Sequence, residues 1–74
     1  MHDPVNHPRH YIQGEVECID AIKAALTDLP GYEGYLTGQV IKYIWRWKKK
    51  GGAEDLDKAN WYLKRLIAEM EEKK

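Results

Sequence analysis

Residues 35–72, YLTGQVIKYIWRWKKKGGAEDLDKANWYLKRLIAEMEE, decide the fold of this chain. Hydrophobic residues recur in this stretch at spacings of three and four, which is typical of amphipathic helices. Gly51 and Gly52 divide the stretch in two. We therefore predict a second helix over residues 35–49 and a third over residues 53–72, with the glycine pair capping the second helix at its C-terminus.

Each of these helices has one apolar face. In the second helix the face comprises Leu36, Val40, Tyr43 or Ile44, and Trp47. In the third helix it comprises Leu56, Ala59, Leu63, Leu66 and Met70, which alternate as in a heptad seam. Because the seam covers only about two heptads, the pattern favours packing within a bundle over a long coiled coil.

A shorter first helix is predicted over residues 15–26. Its apolar stripe comprises Val16, Ile19, Ile22 and Leu26. Glu15 and Glu17 lie in the predicted first turn, where negative charge complements the helix dipole. Pro30 and the glycines after it then interrupt the helical pattern before the second helix.

The length of 74 residues allows one domain at most. We predict a small all-α bundle of three helices, with an irregular arm over residues 1–14 and a helical core over residues 15–74. The single cysteine, Cys18, excludes an internal disulfide and is expected to be a small core residue. Small domains without such links often gain burial by association, so we expect a homo-oligomer.

The sequence shows neither a membrane-spanning run nor a signal-peptide pattern, which favours the cytoplasm and no membrane partner.

Charge is concentrated in the middle of the chain although the formal net charge is zero. Residues 34–53 contain five basic residues and no acidic residue. A protein that binds duplex DNA normally has a broad basic surface, so we do not expect a duplex-DNA binder, and nucleic acid in general is a less favoured partner. A single basic stripe suits a small anion or a few phosphates better.

The basic stripe begins with Lys42 and Arg46, which are four residues apart and share a helix face. Lys49 or Lys50 continues the same stripe. Arginine offers a planar fork to phosphate and lysine a mobile point charge. The alternative interpretation is a solvated basic face, although such faces usually mix both signs of charge.

Large aromatic rings accompany these cations. They are Tyr43, Trp45, Trp47, Trp61 and Tyr62. Rings of this kind stack on nucleic-acid bases with about 1–3 kcal/mol per base. They also serve as core or interface residues, and Trp45, which lies off the apolar face of its helix, is the strongest candidate for an oligomer interface.

A second polar line runs along the third helix through Asp55, Lys58 and Tyr62, with Arg65 nearby. Asp55 can orient Lys58, hold a ribose hydroxyl or bind Mg²⁺. The alternative role of Asp55 is that of an acid in the first turn of a helix, which stabilises the helix dipole.

The arm adds a polar and aromatic cluster with His7, His10 and Tyr11. Pro4 and Pro8 exclude a regular helix there. Two histidines three residues apart lack an accompanying set of ligands, so we expect no metal site. Folding over a ligand and a structural hydrogen bond from a histidine are the two roles we consider.

Motifs for nucleotide chemistry are missing from the sequence. It has no glycine-rich phosphate loop ending in Lys-Ser or Lys-Thr and no Gly-x-Ser-x-Gly elbow. We expect no bound cofactor, with Mg²⁺ as the exception if the chain is a kinase.

Several motifs together resemble a small phage and prophage family of unknown function, whose members are described as SaV-like proteins or as nucleotide kinases. The motifs are Asn6-His7-Pro8-Arg9-His10-Tyr11, the segment 15–20, Gly38 with Ile41-Lys42-Tyr43-Ile44 and Arg46, Lys50-Gly51, and the segment 54–63. The resemblance covers nearly the whole chain and implies nucleotide handling during phage infection. It points to a ligand-binding set of His7, His10, Tyr11, Lys42, Tyr43, Arg46, Lys50, Asp55, Lys58 and Tyr62.

Three functions follow as hypotheses. The first is a non-catalytic binder of a nucleotide or nucleotide second messenger, which sequesters a host immune signal. The second is a nucleoside monophosphate kinase, in which Lys42 and Arg46 hold donor phosphates, Asp55 positions Mg²⁺, and His7 or His10 closes over the site. The third is an interaction module for a host protein or single-stranded nucleic acid, with tryptophans as anchors. The first is favoured because so short a chain has little room for two substrates.

Overall fold

The computed structural model describes residues 12–73, which form a short β-hairpin followed by three helices. This confirms the prediction of a small all-α bundle, whereas the predicted arm falls largely outside the described residues. The elements are β1 (Ile12–Gln13), β2 (Val16–Glu17), α1 (Cys18–Ala25), α2 (Gly31–Arg46) and α3 (Gly52–Glu72). None of these helices is both long and apolar enough to cross a lipid bilayer.

The hairpin corrects the predicted start of the first helix. Ile12 pairs with Glu17, and Gln13 pairs with Val16, in antiparallel register. Residues 15–17 therefore belong to the turn and to β2, and the acidic residue in the first turn of α1 is Asp20. Val16 and Ile19, which we expected in the apolar stripe, are 47% and 66% exposed. The hairpin is tied to α2 because the Gln13 side chain donates a hydrogen bond to the carbonyl of Trp45.

Helix α1 packs against a glycine face of α2. Ile22 and Leu26, the two other residues of the predicted stripe, lie against Gly38, which is buried. A Cβ atom at Gly38 would stand 3.4 Å from the Ile22 Cγ2 atom and 3.8 Å from the Leu26 Cδ2 atom. The glycine therefore lets α1 approach the α2 backbone closely, which explains an otherwise unfavourable residue inside a helix.

Helices α2 and α3 form an antiparallel pair joined by a tight turn. Near the start of α2, Lys73 Nζ lies 2.7 Å from Glu33 Oε2. At the opposite end, Arg46 pairs with Asp55. Helix α2 ends three residues before the predicted boundary, and the turn closes when the Gly52 N–H donates to the Trp47 carbonyl at 2.7 Å. Gly52 has a φ of 56°, so it takes the left-handed conformation expected of the glycine pair.

The hydrophobic core is small, and α3 presents a different face to it from the one we predicted. Among the described residues, the buried hydrophobic side chains are Cys18, Leu36 and Ala59. Leu66 is half-buried. The other seam residues, Leu56, Leu63 and Met70, are 39%, 42% and 50% exposed. The seam is therefore split, and most of it faces away from α2.

Candidate functional site: a cation–aromatic cleft between α2 and α3

A surface cleft of about 300 Å³ lies between α2 and α3 and is lined by Tyr43, Lys58, Trp61 and Tyr62. We call it the Tyr43 cleft. On α3, Trp61 and Tyr62 come three and four residues after Lys58, so both lie on the same side of that helix as Lys58. Tyr43 comes from the facing side of α2. The cleft thus arises directly from the antiparallel pairing of the two helices.

Stacked aromatic rings form the floor of the cleft. The rings of Tyr43 and Tyr62 are nearly parallel, at 11°, with centroids 5.9 Å apart. Trp61 meets Tyr62 edge to face at 5.0 Å, and its side chain is 57% exposed. Tyr35 meets Tyr62 edge to face at 6.2 Å. A hydrogen bond between the hydroxyls of Tyr35 and Tyr62 raises the pKa of Tyr35, so the Tyr35 phenol is neutral at physiological pH.

Three cations surround the Tyr43 ring. Arg46 Cζ lies 4.9 Å from the ring centroid, Lys42 Nζ 5.1 Å and Lys58 Nζ 5.5 Å. These distances fall within the range of cation–π attraction, about 6 Å. Two of the cations come from α2 and the third comes from α3. The pairing of the two helices therefore brings these three positive charges together around one ring.

Arg46 is held by a buried carboxylate. Its Nε lies 3.0 Å from Asp55 Oδ2 and its Nη2 lies 3.2 Å from Asp55 Oδ1. The Gly51 N–H also donates to Asp55 Oδ2 at 3.0 Å. Asp55 is 1% exposed. Burial by itself raises the pKa of Asp55, but the hydrogen bonds from Arg46 and Gly51 and the charges of Arg46 and Lys58 outweigh it, so the pKa lies below its ordinary value.

These hydrogen bonds give Asp55 a structural role in the site. Both carboxylate oxygens accept hydrogen bonds from within the chain, and the residue lies in the first turn of α3. This geometry fits the alternative role considered for Asp55, that of an acidic residue in the first turn of a helix. It also fixes the guanidinium of Arg46 beside Tyr43.

Lys58 is positioned by a neighbour on its own helix. Its Nζ lies 3.1 Å from Glu54 Oε1, one turn earlier. The hydrogen bond and charge of Glu54, with smaller contributions from Tyr43 and Asp55, raise the pKa of Lys58. Lys58 therefore stays charged at neutral pH and is 43% exposed, so an anion entering the cleft can reach it.

Lys42 lies where α2 meets both α1 and the aromatic floor. Its charge acts on the Cys18 thiol and on the Tyr35 hydroxyl. Burial raises the pKa of Cys18, and the Lys42 charge opposes this only in part. Cys18 is 4% exposed, which confirms the prediction of a small core residue and keeps its thiol protonated.

The structure brings together six of the ten predicted ligand residues: Lys42, Tyr43, Arg46, Asp55, Lys58 and Tyr62. Lys50 is exposed in the turn between α2 and α3, and no described contact links its side chain to this group. His7, His10 and Tyr11 lie outside the described residues. Within residues 12–73, no group of three or more His, Cys, Asp or Glu side chains is arranged to hold a metal ion.

Four contributors were missing from the predicted site. They are Tyr35, Gly51, Glu54 and Trp61. The sequence could have indicated Trp61 as part of the site, since it lies three residues after Lys58 and residues three apart share a helix face. The roles of Tyr35 and Gly51 depend on contacts between α2 and α3 that spacing within one helix does not reveal.

Chemically, the cleft combines mobile positive charge with exposed ring surface. Lysine ammonium groups suit phosphate oxygens, and flat rings suit a planar heterocycle. An anion with a ring is therefore better matched to this surface than a simple inorganic anion or an apolar ligand.

Comparison with known families agrees with the resemblance seen in the motifs. The model of the family of proteins of unknown function DUF3310 matches residues 5–64, so the chain belongs to that family. The match includes the hairpin, α1, α2 and the part of α3 that lines the Tyr43 cleft. No curated protein and no solved structure shows significant similarity to the chain.

Proposed function

We propose that this DUF3310 protein binds a phosphorylated, ring-bearing ligand, a nucleotide or a nucleotide second messenger, in the Tyr43 cleft. The observation that carries the proposal is the convergence of Lys42, Arg46 and Lys58 on one tyrosine ring. That ring borders a cleft of about 300 Å³, which lies at the lower end of the range for small-molecule sites.

In this proposal, Lys42 and Lys58 contact the phosphates. Arg46 contributes positive charge but has less hydrogen-bonding capacity to offer, because two of its nitrogens already donate to Asp55. The mobile ammonium groups come from different helices, so a phosphate between them would bridge α2 and α3. Ligand binding should therefore stabilise the helix pair.

The ring of the ligand stacks on the aromatic side of the cleft. Trp61 is the best candidate, since it is 57% exposed and its ring is held in place by a T-shaped contact with Tyr62. Arg65 Cζ lies 5.5 Å from the Trp61 ring centroid and covers part of it. An incoming heterocycle can take the place of the Arg65 guanidinium on that ring.

The biological role we propose is sequestration, in which the protein withholds a nucleotide signal from a host defence pathway during phage infection. The cleft supplies binding groups, while the two carboxylates beside it are already paired, Asp55 with Arg46 and Gly51, and Glu54 with Lys58. A kinase would need a carboxylate available for Mg²⁺, so binding without turnover is the better match to this arrangement.

Isothermal calorimetry with a panel of mononucleotides and cyclic dinucleotides tests the proposal. At least one member should bind, and Lys58→Ala should weaken that binding at least about tenfold. Lys64→Ala is the matched control, because it removes the same charge from an exposed position of α3 outside the cleft. Failure of every nucleotide to bind at high micromolar concentration, or equal losses in both variants, would contradict the proposal.

Turnover is tested separately by incubation with ATP, Mg²⁺ and dTMP or dGMP. We expect no diphosphate product. Product formation that disappears in Lys42→Ala would instead establish the kinase.

A further inference from the structure

Helix α3 carries a second feature, an apolar stripe that the other elements within residues 12–73 leave largely uncovered. Leu56, Leu63, Ile67 and Met70 are between 39% and 51% exposed. Asn60, also exposed, completes the line, so its members follow one another at spacings of four, three, four and three. We call these five residues the α3 stripe.

The α3 stripe is separate from the Tyr43 cleft. Successive residues of an α-helix are rotated by about 100°. Asp55 and Ala59, both buried, mark the line of α3 that faces α2. Lys58 and Trp61 lie to one side of that line, in the cleft, and the α3 stripe lies to the other side. A partner on the stripe would therefore leave the proposed ligand site open.

We infer that the α3 stripe pairs with the α3 stripe of a second copy of this chain. The spacing is that of the a and d positions of a heptad, with Asn60 and Ile67 at a and with Leu56, Leu63 and Met70 at d. A β-branched residue at a with leucine at d favours two-stranded pairing. A single asparagine at an a position fixes the register of such dimers, since it pairs with the same asparagine of the other copy across the twofold axis.

The small hydrophobic core of the monomer also favours a second copy as the partner. Cys18, Leu36 and Ala59 are small or medium-sized, and they are the buried hydrophobic side chains of the described part of the chain. Helices α1 and α3 both pack on α2 but hardly on each other, so the three helices enclose little volume. A fold with so little core gains stability when its stripe is covered, and a second copy is available wherever the chain itself is present.

Analytical ultracentrifugation of the whole protein tests the inference. The wild type should sediment as a dimer at about 50 µM, and its melting temperature should rise with protein concentration. Leu63→Glu should raise the dimer dissociation constant about 100-fold or more, because it places a charge at the centre of the contact. Ala68→Glu is the matched control, since it adds the same charge to an exposed residue of α3 off the stripe, and it should remain dimeric.

If Leu63→Glu does not fold, the wild type still decides the question. A wild-type monomer at 50 µM with a concentration-independent melting temperature would overturn the inference, because the stripe would then be covered in some other way. Dissociation caused equally by Ala68→Glu would overturn it as well. These outcomes do not depend on ligand binding, so they are independent of the proposed function.

Discussion

Arg46 and Asp55 form a two-point ion pair across the turn between α2 and α3, with Arg46 Nε 3.0 Å from one carboxylate oxygen and Nη2 3.2 Å from the other. Their side chains are 11% and 2% exposed. The pair joins the last residue of α2 to the first turn of α3, and it also brings the guanidinium beside Tyr43. One contact therefore supports both the fold and the candidate site.

Loss of Arg46 should destabilise the protein, because Asp55 would remain as a buried charge without its main partner. We expect Arg46→Ala to lower the melting temperature by about 10 °C or more. Lys42→Ala removes a charge from the same tyrosine ring without breaking the pair, so its melting temperature should stay within a few degrees of wild type. Thermal melts followed by circular dichroism measure both. If the two variants are equally stable, the ion pair contributes nothing to folding and Arg46 is available to a ligand.

The α2–α3 pair could be predicted from the sequence because the apolar spacing and the glycine pair are local signals. The start of α1 could not, since the pairing of Ile12 with Glu17 competes with helix formation over the same residues. The face that α3 presents to α2 could also not be predicted from the sequence. Heptad spacing permits two neighbouring faces on α3. The face that packs on α2 is the one that carries Asp55, whose partner Arg46 lies nine residues earlier, across a turn.

The candidate site was predictable in its charges and rings but not in their roles. Lys42, Tyr43 and Lys58 were recognised from their residue types and spacing, and the structure places them around one ring. Asp55 has the same sequence signature whether it meets a ligand or an arginine. Only the distances to Arg46 and Gly51 identify it as a positioning residue.

Acid should destabilise the protein through Asp55. The pKa of Asp55 is lowered in the folded state from its ordinary value of 3.8, so the unfolded chain binds a proton more readily. The stability from the pair is thus fully present above the ordinary pKa and is lost as the pH falls through the lower, folded value. Urea unfolding between pH 7 and pH 2 should show this loss below about pH 4. Asp55→Asn should be less stable than wild type at neutral pH and should show a smaller acid dependence; an unchanged dependence would assign the effect to other carboxylates.

Gly51 should tolerate no side chain. A Cβ atom at this position would lie 2.2 Å from Asp55 Cγ, closer than two unbonded carbons can approach. Gly51→Ala should therefore displace the carboxylate and lower the melting temperature by about 5–10 °C. Gly31→Ala is the control, because nothing lies within 4 Å of the corresponding atom at Gly31, in the first turn of α2. That variant should be as stable as wild type or slightly more stable. Equal effects of the two alanines would mean that the Asp55 carboxylate can move without cost.

Glu54 should act as an internal competitor for the anion that we propose to bind Lys58. Its carboxylate lies 3.1 Å from Lys58 Nζ, and the two side chains are 76% and 43% exposed, so the pair contributes little to stability. Glu54→Gln frees the ammonium group and removes a negative charge beside the cleft. Affinity for the nucleotide that binds the wild type should rise about two- to fivefold at low salt, and the gain should shrink at 0.5 M salt.

Glu72→Gln is the control for that experiment, since it removes the same charge from the far end of α3, about 27 Å along the helix axis. At that distance the charge is screened from the cleft at physiological ionic strength, so the affinity should not change. Calorimetry with the same nucleotide measures both variants. A rise in affinity for Glu72→Gln as large as that for Glu54→Gln would show that net charge governs binding. In that case the Tyr43 cleft would have no special part in recognising the ligand.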